Sequence, residues 1–327
     1  MMEILVKNNL QKSVVYDTYW KFAYERQNVF VKRVEGQQGD WTEDTILKKY
    51  KFTNVYRSCD RVSQYLIKNV IYKEGYSSED IIFRILFFKL FNKIQTWEFV
   101  ESELGDINYR NFDIGKYKKV FDKLYCDNSK IYSGAYIMAS GKSFFGCERK
   151  YENHLLLLDY MMKDNLSEKV GKCSCLKELY ELLLSYPTLG RFLAYQYAID
   201  INYSELIDFD EMEFVVAGPG ASSGIKKCFK DIGNYSEEDI IRCMADNQEY
   251  EFQRLNLQFK NLWGRRMQLI DCQNVFCETD KYARVKHPEI PDKIGRKKIK
   301  QLYKRNLEEI ELFYPPKWNL NVGGCIE

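Results

Sequence analysis

Residues 79–93, EDIIFRILFFKLFNK, are apolar on nearly every face of a helix. A helix with no polar side belongs at the centre of a core. Ser77 or Ser78 supplies a cap, and Glu79 and Asp80 put negative charge in the first turn, where the helix dipole favours it. Arg84 interrupts the run, and a buried guanidinium calls for a carboxylate or phosphate partner. Helical spacing returns in HLLLLDYMMKD (154–164), LKELYELLLSY (176–186) and GRFLAYQYAI (190–199). It also runs through SEEDIIRCMADNQEYEFQRLNLQFKNLW (236–263), which reads as two pieces. Strand alternation is confined to EILVKN near the start and AYIMAS at 135–140.

Breaks fall at 35–41, 126–134, 163–173 and 287–295, none of them long enough for a free linker. No internal repeat or low-complexity stretch is present. The expected architecture is mainly α: one compact helical domain over 1–327, in two lobes with a seam near 125–175.

Composition narrows the class. The chain has 327 residues, 45% hydrophobic and 29% charged, as in an ordinary globular protein. Net charge is only +2, so contact with nucleic acid must come from local patches. Lys281 to Arg305 is such a patch, with ten Lys/Arg against two acids; it carries +8 and leaves the rest of the chain at −6. This basic segment, continued over 286–327 into YPPKW, suits a phosphate-backbone track through Lys281, Arg284, Arg296, Lys297 and Lys298. A solvated surface is the alternative for such a run. Ten cysteines without a leader-like apolar start read as reduced thiols of a cytoplasmic protein. No Cys-x2-Cys pair and only two histidines argue against a metal site, and no run reaches the ~18 apolar residues of a membrane helix.

Four clusters carry candidate chemistry. In FVVAGPGASSGIKKCF (214–229), Gly218 and Gly220 flank a proline after an apolar run, and small residues follow. This is the grammar of a helix–hairpin–helix at 210–230. Backbone N–H groups around Gly218, Gly220, Ala221, Ser222 and Ser223 would take a DNA phosphate beside Lys226, with a structural monovalent cation at the hairpin. A plain connector is the alternative. In LIDCQNVFCETDKYARV (269–285), Asp271, Glu278 and Asp280 are candidate catalytic carboxylates, with Gln273 and Asn274 suited to an unstacked base. Ordinary helical ion pairs, Glu278 with Lys281 and Asp280 with Arg284, explain the same spacing. Arg57, Asp60, Arg61 and Gln64 recur at i, i+3, i+4 and i+7, a shared face that would line a substrate pocket or simply meet water. Gln196 and Asp200 lie four apart in an apolar helix, as a base-facing pair or a satisfied buried amide. SGKSFFG at 140–146 imitates a P-loop, but the glycine that the motif needs five positions earlier is Tyr136.

TYWKFAYERQNVF, FTNVYRSCDRVSQYLI, GRFLAYQYAIDINYS, FVVAGPGASSGIKKCF, LWGRRMQLIDCQNVFCETDKYARV and YPPKWNLN together resemble the DNA base hypermodification proteins. These include the helical domain associated with 5-hydroxymethyl-deoxyuridine DNA kinases and the α-glutamyl/putrescinyl thymine pyrophosphorylases. The resemblance implies a two-lobed helical fold similar to helix–hairpin–helix DNA glycosylases, a gripping hairpin at Gly218–Pro219–Gly220, and a pocket for an extruded base. It implies DNA as partner, with a separate kinase or other modification enzymes alongside. It also implies an enzyme acting on a 5-hydroxymethyl-pyrimidine, in which an amine displaces pyrophosphate. Arg57, Arg61 and Arg84 would steady the diphosphate, and Asp271, Glu278 or Asp280 would take the amine's proton. A base-excising N-glycosylase and a noncatalytic reader of modified DNA are the alternatives.

Overall fold

The computed structural model describes residues 10–136, 138–290, 295, 298–305 and 311–323. These form fifteen α-helices and one two-stranded antiparallel sheet. In chain order the helices are α1 (Val14–Val34), α2 (Thr45–Lys49), α3 (Arg61–Tyr65), α4 (Ser78–Phe91), α5 (Ile94–Leu104), α6 (Ile114–Cys126), α7 (Lys142–Phe145) and α8 (Lys150–Lys163). They continue as α9 (Leu166–Lys172), α10 (Leu176–Leu184), α11 (Arg191–Asn202), α12 (Pro219–Cys228), α13 (Glu237–Asp246), α14 (Gln248–Arg254) and α15 (Leu269–Lys286). The strands are β1 (Gln11–Lys12) and β2 (Phe229–Asp231). Mainly α is therefore the observed class. EILVKN lies outside the described residues, and the described part of 135–140 is irregular.

The chain divides into two compact units. The first is Met1–Asp60, Phe214–Leu312 and Asn319–Glu327; the second is Arg61–Glu213 and Phe313–Trp318. Residues 125–175, where the sequence suggested a seam, fall wholly inside the second unit.

In the first unit, α1 brings Tyr16, Tyr19, Trp20 and Phe22 into a core shared with Phe252 and Phe276. Ser13 caps α1 by accepting from Val15 N (3.0 Å), and its own N–H reaches Cys228 O at 2.8 Å. This joins the start of α1 to the end of α12. Helices α12 and α15 pack face to face. Gly220 and Gly224, one turn apart, remove the side chains that would keep the helices apart. A Cβ at Gly220 would lie 3.1 Å from Cys277 Cβ, and one at Gly224 would lie 2.7 Å from the Phe276 carbonyl carbon.

In the second unit, α4 is the central helix that its all-round apolarity predicts, with Ile82 to Phe91 buried. Ser77 closes a capping box with Asp80, and Asn92 ends the helix in the left-handed conformation at φ 49°. Arg84 is fully buried, but its partners are neither carboxylate nor phosphate. It donates to the carbonyls of Val70 (2.9 Å), Ile107 (2.7 Å) and Asn69 (2.9 Å), and stacks over Tyr76 and Trp97. Asn69 and Val70 lie in a π-helical turn, Leu66–Ile71. The guanidinium thus satisfies carbonyls near the end of that turn. On α11, Asp200 forms a buried ion pair with Lys89 of α4 at 2.8 Å. Gln196 is buried on the same helix. The segment 313–318 is fastened here too: Phe313 N–H donates to Gln64 Oε1 (2.8 Å), and Trp318 packs edge-on against Tyr203. Lys317 Nζ donates to the carbonyls of Asn202 (2.7 Å), Ser204 (2.9 Å) and Ile207 (2.6 Å). The lysine of YPPKW therefore satisfies loose carbonyls at and just beyond the end of α11 rather than lying open for a phosphate.

Candidate functional site

Helix α15 divides its polar residues between two faces. Gly220 and Gly224 of α12 bring one face into close contact, and this fixes where Asp280 points. Asp280 is 1% exposed. It receives Lys227 Nζ at 2.9 Å, Ser223 Oγ at 2.7 Å, and the guanidinium of Arg284. Burial acts to raise its carboxyl, but these three hydrogen bonds outweigh it and hold the group below the usual carboxylate range. Asp280 therefore ties α12 to α15 as an ion-pair hub, and the Asp280–Arg284 pairing read from the spacing is present.

The other face, one to two turns apart at Asp271, Asn274 and Glu278, meets the loop 53–60. Asp271 completes a capping box with Gln268, whose N–H it accepts at 3.0 Å, and its second oxygen takes Arg57 N–H at 2.8 Å. Both oxygens are thus held by main-chain donors, so Asp271 is a structural cap and not a free base. Asn274 donates to Asn54 O (2.9 Å) and Thr53 Oγ1 (3.1 Å), pinning the same loop. Glu278 Oε2 accepts Thr53 N–H at 3.1 Å and Lys281 Nζ at 2.7 Å. Gln273 is buried, and its Oε1 has no hydrogen-bond partner among the described residues.

Asp60 closes the cluster. Its Oδ1 accepts Asn54 N–H at 2.8 Å, and Asn54 Oδ1 receives Arg26 at 2.6 Å. Burial pushes the Asp60 carboxyl up to about 6, aided by the charge of Glu278 and opposed by Asn54 N–H, Arg26 and Arg57. Arg26 itself is pulled down by burial, against the pull of Asp60 and Glu278. Two carboxylates with two guanidiniums therefore share one partly desolvated site. Burial shifts one carboxyl toward its protonated form, and a carboxyl raised in this way among cations suits acid–base work.

The Arg57–Gln64 stripe does not form one face. Arg57–Cys59 is a 3-10 turn, Asp60 is extended at φ −70° and ψ 140°, and α3 starts afresh at Arg61. Arg57 and Asp60 belong to the first unit; Arg61 and Gln64 belong to the second. Gln64 is buried with its Oε1 on Phe313 N–H, and Arg61 is exposed. Arg84 is also in the second unit, fully buried with its Nε, Nη1 and Nη2 each donating to a main-chain carbonyl, and is unsuited to hold a leaving diphosphate. Arg26, Thr53 and Asn54 were not singled out by spacing, because only long-range packing brings them to α15.

At 214–218 no helix precedes the Gly-Pro-Gly turn. Steric crowding by the ring of Pro219 keeps Gly218 extended, at φ −76° and ψ 164°, and Pro219 begins α12. The N-terminus of α12 already meets acids: Ala217 N–H donates to Glu238 Oε1 (3.1 Å), and Ser222 Oγ and Lys226 Nζ reach Glu237 Oε1 at 2.7 and 3.0 Å. A phosphate approaching there would face both carboxylates. Arg296 and Lys297 lie outside the described residues, while Lys298 is exposed. SGKS is not the end of a strand: Gly141 starts the single turn α7, and Lys142 pairs with Glu148 at 2.6 Å. Among the described residues no three or more His, Cys, Asp or Glu are grouped to hold a metal ion, and no helix is long and apolar enough to cross a membrane.

A family described as "5-hmdU DNA kinase, helical domain" matches residues 13–292. A 5-hmdU DNA kinase of Bacillus phage SP10 is 27% identical over 288 residues, covering 82% of this chain and 45% of that protein. This chain thus spans less than half of that relative's length. No solved structure matches it.

Proposed function

This chain belongs to the family of 5-hmdU DNA kinase helical domains, and on that premise we propose that it acts on 5-hydroxymethyluracil in DNA. In this reading the cluster of Asp60, Glu278, Arg26 and Arg57 receives the modified base. The observation that carries it is geometric: the loop 53–60 hangs Asp60 and Glu278 on its own adjacent N–H groups, at Asn54 (2.8 Å) and Thr53 (3.1 Å), with Arg26 on Asn54 Oδ1, and burial there raises the Asp60 carboxyl. The hydroxymethyl O–H, which thymine lacks, donates to Asp60. A site built to bond a hydroxyl discriminates against the analogue without one. In phosphoryl transfer that oxygen attacks the terminal phosphorus of a nucleoside triphosphate. The bond from phosphorus to the leaving diphosphate breaks, and the hydroxymethyl proton passes to Asp60. SGKS is no P-loop here, so we assign the triphosphate site to a kinase partner or module. The test is the affinity for a duplex with one 5-hydroxymethyluracil against the same duplex with thymine. Tighter binding of the modified duplex supports the reading, and equal binding removes it.

The same cluster supports a second reading, displacement of pyrophosphate by an amine at an activated thymine methylene. Asp60 suits the amine's proton, and Arg26 and Arg57 replace Arg61 and Arg84 as diphosphate holders. New nucleosides after incubation of pyrophosphorylated DNA with amines would favour it. Abasic sites would favour a helix–hairpin–helix glycosylase mechanism instead.

A further inference from the structure

We propose that the pairing of residues 49–51 with 301–303 is a sequence-blind contact surface for a DNA backbone, separate from the base-reading cluster. The inference rests on the reading of the chain as DNA-acting. Lys51 N–H donates to Gln301 O and Tyr303 N–H to Lys49 O, both at 3.0 Å, with Tyr50 and Leu302 bridged antiparallel between them. Arg305 anchors the far end by donating to Gly39 O and stacking on Trp41 at 4.5 Å. Two sequence-distant basic runs, KKYK and KIKQLYKR, are thereby joined side by side, and neither contains an acid. Lys49, Lys51, Lys300 and Lys304 are all exposed.

Leu302 is the second observation. It is 60% exposed and has a lysine two residues away on each side. Directly opposite it in the pairing is Tyr50. An apolar tip between cations is what a groove contact needs: ammonium groups meet phosphates, and the leucine meets sugar or base surface. Two paired extended segments are also narrow enough for a DNA groove. The partner chosen by this charge is a polyanion of regular spacing, and the reading above makes it duplex DNA.

The experiment measures affinity for a thymine-only duplex across a salt series, using the full chain. Each lysine that meets a phosphate releases about one counterion, so replacing Lys49, Lys51, Lys300 and Lys304 by Gln should flatten the log–log salt slope by roughly three to four. It should also weaken binding at least about tenfold at low salt. Each single Lys→Gln variant should flatten the slope by about one, so misfolding of the fourfold variant leaves the proposal testable. Leu302→Ser should weaken binding without changing the slope. Unchanged slopes in variants with native circular dichroism, or no duplex binding by the native chain, overturn the proposal. Equal affinity for modified and thymine duplexes, with the lysine effects intact, removes the base-reading proposal alone.

Discussion

Gly224 lies directly against the main chain of Phe276, where a Cβ would come within 2.7 Å of the carbonyl carbon. Backbone cannot swing aside, so Gly224→Ala must push α12 from α15, at a cost of about 1–3 kcal/mol. At Gly220 the obstacle is the Cys277 side chain. Urea melts should therefore show that Cys277→Ala restores much of the stability lost in Gly220→Ala and does not rescue Gly224→Ala.

Lys227 and Asp280 pair at 2.9 Å with 4% and 1% of their side chains exposed. Lys227→Met leaves a buried carboxylate short of one cation, and we expect a loss of about 3 kcal/mol in urea melts. The folded Asp280 carboxyl is depressed below its ordinary 3.8. Its contribution is therefore present above that value and lost as pH falls below it. The gap between native and Lys227→Met stability should shrink in that acid window.

Arg84→Met would strand three carbonyls in the core of the second unit. The expected cost is about 3 kcal/mol or more, seen in thermal or urea unfolding. A role limited to holding diphosphate would instead leave stability unchanged.

The sign is opposite at Asp60. Its folded value near 6 exceeds the ordinary 3.8, so the fold favours the protonated form. That contribution is full below about 3.8 and is lost as pH rises through about 6. Asp60→Asn cannot ionise. Urea melts should show the variant gaining stability relative to the native chain between about pH 4 and 7, a window set by those two values.

Local features were legible in the sequence. Ser77 caps α4, α13 and α14 are two helical pieces within 236–254, although 255–263, also expected to be helical, is irregular, and Glu278–Lys281 and Asp280–Arg284 are the expected helical pairs. Each depends on neighbours within one or two turns. The rest depends on distant packing. Arg84 needed a partner, but carbonyls freed by a π-turn gave no sequence signal. One extended residue, Asp60, breaks the helical phase that spacing alone gives Arg57 and Gln64. The helix–hairpin–helix grammar calls for a helix before the turn at 214–218, yet that run is irregular and Pro219 holds its end extended. Among the acids, spacing marked all three on α15 but not which would be consumed: a cap claims Asp271 and a cross-helix lysine claims Asp280.

The most direct test of the central claim is the preference for a 5-hydroxymethyluracil duplex over a thymine duplex, measured as a function of pH in the native chain and in Asp60→Asn. Ionised Asp60 accepts the hydroxymethyl proton, so the native preference should be largest above pH 6 and fall as pH drops through about 6. Asp60→Asn should show a smaller preference with no step there. The same pH profile in both proteins would contradict the account.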